Sequence, residues 1–70
     1  MAGNTQQPQI DAKNLAYLDD TMNYEALACK KCEQYETMLT DPQQKNFVHQ
    51  LAQHHKQHFD TLFNYLQSHQ

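Results

Sequence analysis

The run His55-Lys56-Gln57-His58 is the first place in this 70-residue chain where residue type and spacing suggest chemistry. Residues at i and i+3 share one face of a helix, so both imidazoles can address one point. They interrupt an apolar stripe made of Val48, Leu51, Leu62 and Tyr65. Upstream, a second stripe of helical period runs through Leu15, Leu18, Met22, Glu25, Cys29, Cys32, Glu36 and Leu39. It places an acid and two thiols where leucine would be expected. A carboxylate in an apolar seam is costly unless it is neutralised, paired or bound to a metal. Imidazoles in such a seam need hydrogen-bond partners. Setting Glu25 between His55 and His58 would meet both needs. The donor set suits a divalent ion, Fe, Mn or Zn, inside a helical bundle. A hydrogen-bonded Glu–His cluster without an ion is the alternative. His54 lies about 100° round the helix from its neighbour, so it is expected in solvent or behind the ligands.

Cys29-Lys30-Lys31-Cys32 is the other chemically pointed run. Two thiols at i, i+3 could hold a soft metal or, with strain, form a disulfide. Nearby lysines would lower the thiol pKa only if the thiols lay near the surface. A redox motif of the thioredoxin kind needs a βαβ setting that this sequence lacks. Zinc-finger spacing is also absent, because the thiols and the histidine pair are too far apart and both lie on long helices. Cys29 stands one turn from Glu25 and is a candidate fourth ligand, or else a small buried apolar residue on the seam. Glu36 is expected to be exposed or paired with Lys45, and His49 and His69 have no evident convergent partner. Nothing resembles a catalytic triad, a phosphate loop or a dinucleotide fingerprint.

These residues must be carried by helices. The chain has one Gly, two Pro and no Trp, a composition poor in breakers and unsuited to hairpins of strands. Residues 1–10 read as a flexible tail and residues 11–70 as one helical-hairpin domain. Asp11 is the expected N-cap of a first helix reaching about residue 39, with Ile10 and Leu15 placed as a hydrophobic staple. Thr40-Asp41-Pro42 ends it, and Asp41 with Gln44 three residues on marks the start of a second helix to about residue 67. So short a connection makes the helices antiparallel neighbours. Folding near residue 41 aligns positions whose numbers sum to roughly 81–82. Glu25 then falls between His55 and His58, Cys29 near Ala52 and Gln53, and Cys32 near His49.

Each helix is apolar over more than one stripe. Tyr17, Tyr24, Tyr35 and Met38 on the first helix, and a second row on the second, cannot all be covered within one hairpin. The economical expectation is a homodimer in which two hairpins form a four-helix bundle. A unit this small often needs a metal or a partner to be stable.

Segment 14–66 resembles half of a ferritin-like or rubrerythrin-like protein. The resemblance is carried by Tyr24-Glu25-Ala26, by Thr40-Asp41-Pro42 and by the run from Phe47 to Leu66. It implies an all-α, ferritin-like four-helix bundle with Glu25 as the first-helix metal ligand and His58 as the histidine of the family motif. His55 stands where the family carries a bridging glutamate, which lowers the negative charge of the site and removes a bridge between two metals. Any catalysis implied would be metal-dependent redox work with dioxygen or peroxide, and a non-catalytic, ion-holding role is the stronger expectation. A second, looser resemblance, in the hairpin layout and the Gln-, Asn- and Tyr-rich composition, is to the small spore coat proteins of the coat F family. It implies a structural or assembly role without metal.

The net charge is −3, and the five Lys are spread along the chain with no Arg. No basic patch exists, so nucleic acid is not an expected partner. No apolar run approaches a membrane span and no secretory signal pattern is present, so membrane association is not expected. The expected location is cytoplasmic, or the spore coat under the second resemblance.

Overall fold

The computed structural model describes residues 10–69, so the proposed tail, residues 1–10, lies outside the described residues except for Ile10, which precedes the first helix. Two α-helices account for nearly all of the rest: α1, Ala12–Met38, and α2, Pro42–Ser68, each of 27 residues. They pack antiparallel along their length as a helical hairpin, and no strand occurs among the described residues.

Local chemistry sets the boundaries. Asp11 caps α1: its carboxylate accepts from the Asn14 backbone N–H at 2.8 Å and from the Asn14 side chain at 3.1 Å. Asp41 caps α2, with one carboxylate oxygen accepting from the amides of Gln43 at 2.8 Å and Gln44 at 3.0 Å. Pro42 takes the first helical position, where its missing N–H costs nothing. The return bond of a capping box, from the Gln44 side chain to the Asp41 backbone N–H, is not made among the described residues.

The far side of the turn holds a correction. Lys45 was expected to pair with Glu36. Its ammonium instead donates to the Leu39 carbonyl at 3.1 Å. The last turn of α1 contains no basic residue of its own. Its unsatisfied carbonyls form the negative end of the helix dipole, and the lysine on the following helix takes that position.

The core is thin. Only Met22, at 8 % exposure, and Ala52, at 3 %, are buried among the described residues. Leu18, Val48, Leu51, Phe59, Leu62 and Leu66 are half-buried along the seam. Large apolar side chains remain open to water, including Tyr24 at 64 %, Phe47 at 63 % and Met38 at 64 % exposure. Two helices can shield one stripe each, and the second stripes stay uncovered.

Replacing Asp41 by Ala removes both cap bonds at the turn. The expected loss is about 1 kcal/mol of stability, read as a lowered midpoint of thermal unfolding followed by circular dichroism.

Candidate metal centre

The three residues read from sequence as a site are brought together. Glu25 comes from the middle of α1 and His55 and His58 from the middle of α2. His55 Nδ1 lies 2.5 Å from Glu25 Oε1, and His58 Nδ1 lies 3.3 Å from Oε2. Each carboxylate oxygen therefore faces one imidazole. The register predicted from the turn holds at this level. The i, i+3 spacing puts the two rings one helical turn apart, edge to face, with centroids 6.3 Å apart.

Exposure is graded across the group. The Glu25 side chain is 13 % exposed, His55 22 % and His58 63 %. The acid and one imidazole line the seam, while the second imidazole opens to solvent. The carboxylate is held below its usual pKa, chiefly by the hydrogen bond to His55. Burial pushes the other way, and the nearby His58 and His55 charges add to the lowering. The acid is ionised at neutral pH, as a ligand must be.

The three residues form a group that could hold an ion, although the 2.5 Å contact of His55 Nδ1 with Glu25 Oε1 is closer than two ligands of one ion stand and would have to open. One donor atom from each of the three residues can be chosen so that all lie within 4.8 Å of one another. Around a tetrahedral zinc with bonds near 2.0–2.1 Å, donors stand about 3.4 Å apart. The group is slightly wider than that, and His58, the most exposed member, has the side-chain freedom to close it. One carboxylate and two imidazoles form a singly negative site of mixed oxygen and nitrogen donors, of the kind used by Zn, Fe and Mn.

Cys29 is not among the donors brought together. Its thiol lines a shallow groove with Ala26, Lys30, Glu33, Lys56, Phe59 and Asp60. Cys32 opens into a different groove, with Tyr24, Leu27, Ala28 and Lys31. The two thiols are free and half-buried. The surface position that the lysines would need in order to lower a thiol pKa is not the position of Cys29. Burial, with the adjacent Glu33 carboxylate next, raises the Cys29 pKa, and the opposing pull of Lys56 is smaller. This thiol is protonated at neutral pH and is a poor nucleophile.

Sequence reasoning missed a second acid–imidazole pair. His49 Nδ1 lies 3.1 Å from Glu36 Oε1, and the Gln53 side-chain nitrogen lies 3.1 Å from His49 Nε2. The pair reaches about one turn beyond the predicted register. Its side chains are 49 % and 30 % exposed, so it contributes little to stability. His69 likewise gained an unanticipated partner, stacking on Tyr65 with centroids 4.0 Å apart. Tyr24, read only as part of the second stripe, stands edge-on to His55 with centroids 6.3 Å apart.

No protein-family model, curated protein or solved structure matches the chain. The case for a site therefore rests on these side chains themselves. No helix among the described residues is long and apolar enough to cross a membrane.

Two outcomes follow. Because the Glu25 pKa is lowered on folding, its stabilising contribution is complete above the ordinary glutamate value of 4.5 and disappears as pH falls through the lower folded value. Unfolding measured between pH 6 and pH 2 without metal should show that acid-side loss, and Glu25→Gln should flatten it. In a Cys32→Ser variant, Cys29 should react with iodoacetamide at pH 8 more slowly than a free cysteine, measured by mass spectrometry.

Proposed function

We propose that this protein is a metal-binding helical hairpin whose ion is held by Glu25, His55 and His58, and that it works as a homodimer forming a ferritin-like four-helix bundle. The observation that carries the ion-binding part is the convergence of three ligand-type side chains from two helices onto donors within 4.8 Å of one another. The ionised state of Glu25 supports it. The donor set accommodates Fe, Mn or Zn, and holding the ion is the primary role. No group positioned to act on an organic substrate accompanies the site among the described residues.

An assembly role without metal is the second reading. The observation favouring it is the large apolar surface that the hairpin leaves open, including Tyr17, Tyr35, Phe47 and Met38. Under that reading the Glu25–His55 hydrogen bond serves only to tie the two helices together at mid-length.

Titration of the untagged protein with Zn, Mn or Fe(II), followed by calorimetry and by metal analysis after gel filtration, separates the two. The ion-binding reading expects one-half to one ion per chain, lost or weakened at least about tenfold in Glu25→Ala and in His58→Ala. Because imidazoles must be neutral to ligate, affinity should also fall as pH drops through about 6. A protein that retains no ion, and whose melting temperature is unmoved by added metal, is the assembly module instead.

A further inference from the structure

The hairpin has two broad sides, and they differ in chemistry. At about 100° per residue, Tyr17, Tyr24 and Tyr35 fall within about 20° of one another on α1, and Phe47, His58 and Tyr65 do the same on α2. Each row lies about a third of a turn from its helix's inward stripe, in the same rotational sense. Antiparallel helices then present both rows on one side. Contacts agree: Tyr24 stands against His55, and Tyr17 and Tyr65 line a common groove. Apart from histidines, α2 carries only Lys45, Lys56 and Asp60 as charged side chains, and none belongs to this side. On α1, Asp11 lines the groove that Tyr17 and Tyr65 share, Lys31 lines one with Tyr24, and Lys13 and Asp20 lie along the outer edge, so this side is aromatic with charge at its margin. The opposite side is charged, with Lys30, Glu33, Lys56 and Asp60 around the Cys29 groove.

We propose that the aromatic side, bearing Tyr17, Tyr24, Phe47, Leu51, His58 and Tyr65, docks a second copy of this chain, and that docking closes the open side of the Glu25–His55–His58 group. The inference rests on the ion-binding reading and specifies how the site is completed.

Three observations choose this occupant. First, the site sits at the centre of the face. Glu25 has thirteen residues of α1 on either side, and His55 has thirteen residues of α2 on either side. A two-fold axis lying in the plane of a full-length contact, along the helices or across them, therefore brings the two groups opposite one another. A two-fold contact uses the same patch twice, as a single face requires. Second, the size is right. Helices of 27 residues extend about 40 Å and two lie about 20 Å across, so the face is on the order of 800 Å² per copy, the usual share of a stable interface. Third, the direction of exposure matches. His58, at 63 % exposed, is the ligand on this face, while Glu25, at 13 %, lies in the seam between the helices. One chain offers three donors where zinc takes four, so the remaining position opens toward the partner.

Ion and partner are then linked: whatever one gains from the other is reciprocal. The test uses sedimentation equilibrium of the full chain with and without Zn(II), alongside zinc calorimetry. The exposed Phe47→Lys and Tyr24→Lys variants should weaken dimerisation at least about tenfold while keeping their helical circular dichroism. Phe63→Lys, on the opposite side, should leave it unchanged. Zinc should tighten the wild-type dimer at least about tenfold, an effect absent in His58→Ala. Phe47→Lys should lose zinc affinity by a similar factor. A monomer at all concentrations and zinc levels, or a dimer broken by Phe63→Lys and not by Phe47→Lys, overturns the proposed face. If zinc binds wild type and Phe47→Lys equally well without changing the dimer constant, the linkage is overturned and the ion-binding reading stands. If no zinc binds at all, the ion-binding reading and the linkage fall together, and the sedimentation of the two lysine classes alone decides the face.

Discussion

A carboxylate held between two imidazoles at the midpoint of a two-helix hairpin is the constraint on which the rest of this structure turns. Glu25 is nearly enclosed, and an enclosed charge without partners would oppose folding strongly. His55 and His58 supply those partners from the other helix, one for each oxygen. A slip of α2 along α1 by one turn would leave the acid with one imidazole and exchange the other for Leu51 or Leu62. The polar contact therefore fixes the register that a uniformly apolar seam would leave loosely specified. It does so in a molecule with little else to fix it, since only Met22 and Ala52 are well buried among the described residues.

That thin core explains why the site and the surface belong to one physical problem. A hairpin of this size removes one stripe from each helix and leaves the neighbouring stripe in water. The exposed tyrosines and phenylalanines are spaced at helical period, so they form a continuous face and not scattered apolar points. The least enclosed ligand, His58, belongs to that same face. Charge is densest on the opposite side, around Cys29 and Lys56, where burial leaves the Cys29 thiol protonated and chemically quiet. The two thiols open into different grooves, so their i, i+3 spacing produces neither a disulfide nor a chelate with the Glu25 group.

Much of this was legible in the amino-acid order. Asp11 and Asp41 named the helix starts, and Pro42 named the turn, because capping and proline chemistry act over three or four residues and depend on nothing distant. The pairing of Glu25 with His55 and His58 was readable for a related reason. A connection of three residues between long helices leaves almost no freedom in how they align, so the register follows from counting. The Glu36–His49 pair was not readable. It joins residues whose numbers sum to 85, about a turn from the alignment counted from the turn, and depends on how two exposed side chains reach across the packed helices.

The sequence by itself determined the two helices, their caps, their antiparallel run and the identity of the three converging side chains, all consequences of local propensity and a tight connection. Tertiary structure decided how far each ligand is enclosed, which side of the hairpin the open ligand shares with the aromatic rows, and that Cys29 stands apart. Those depend on the angles at which side chains leave two packed cylinders and on which neighbours shield them from water, and residue spacing along one helix does not encode them.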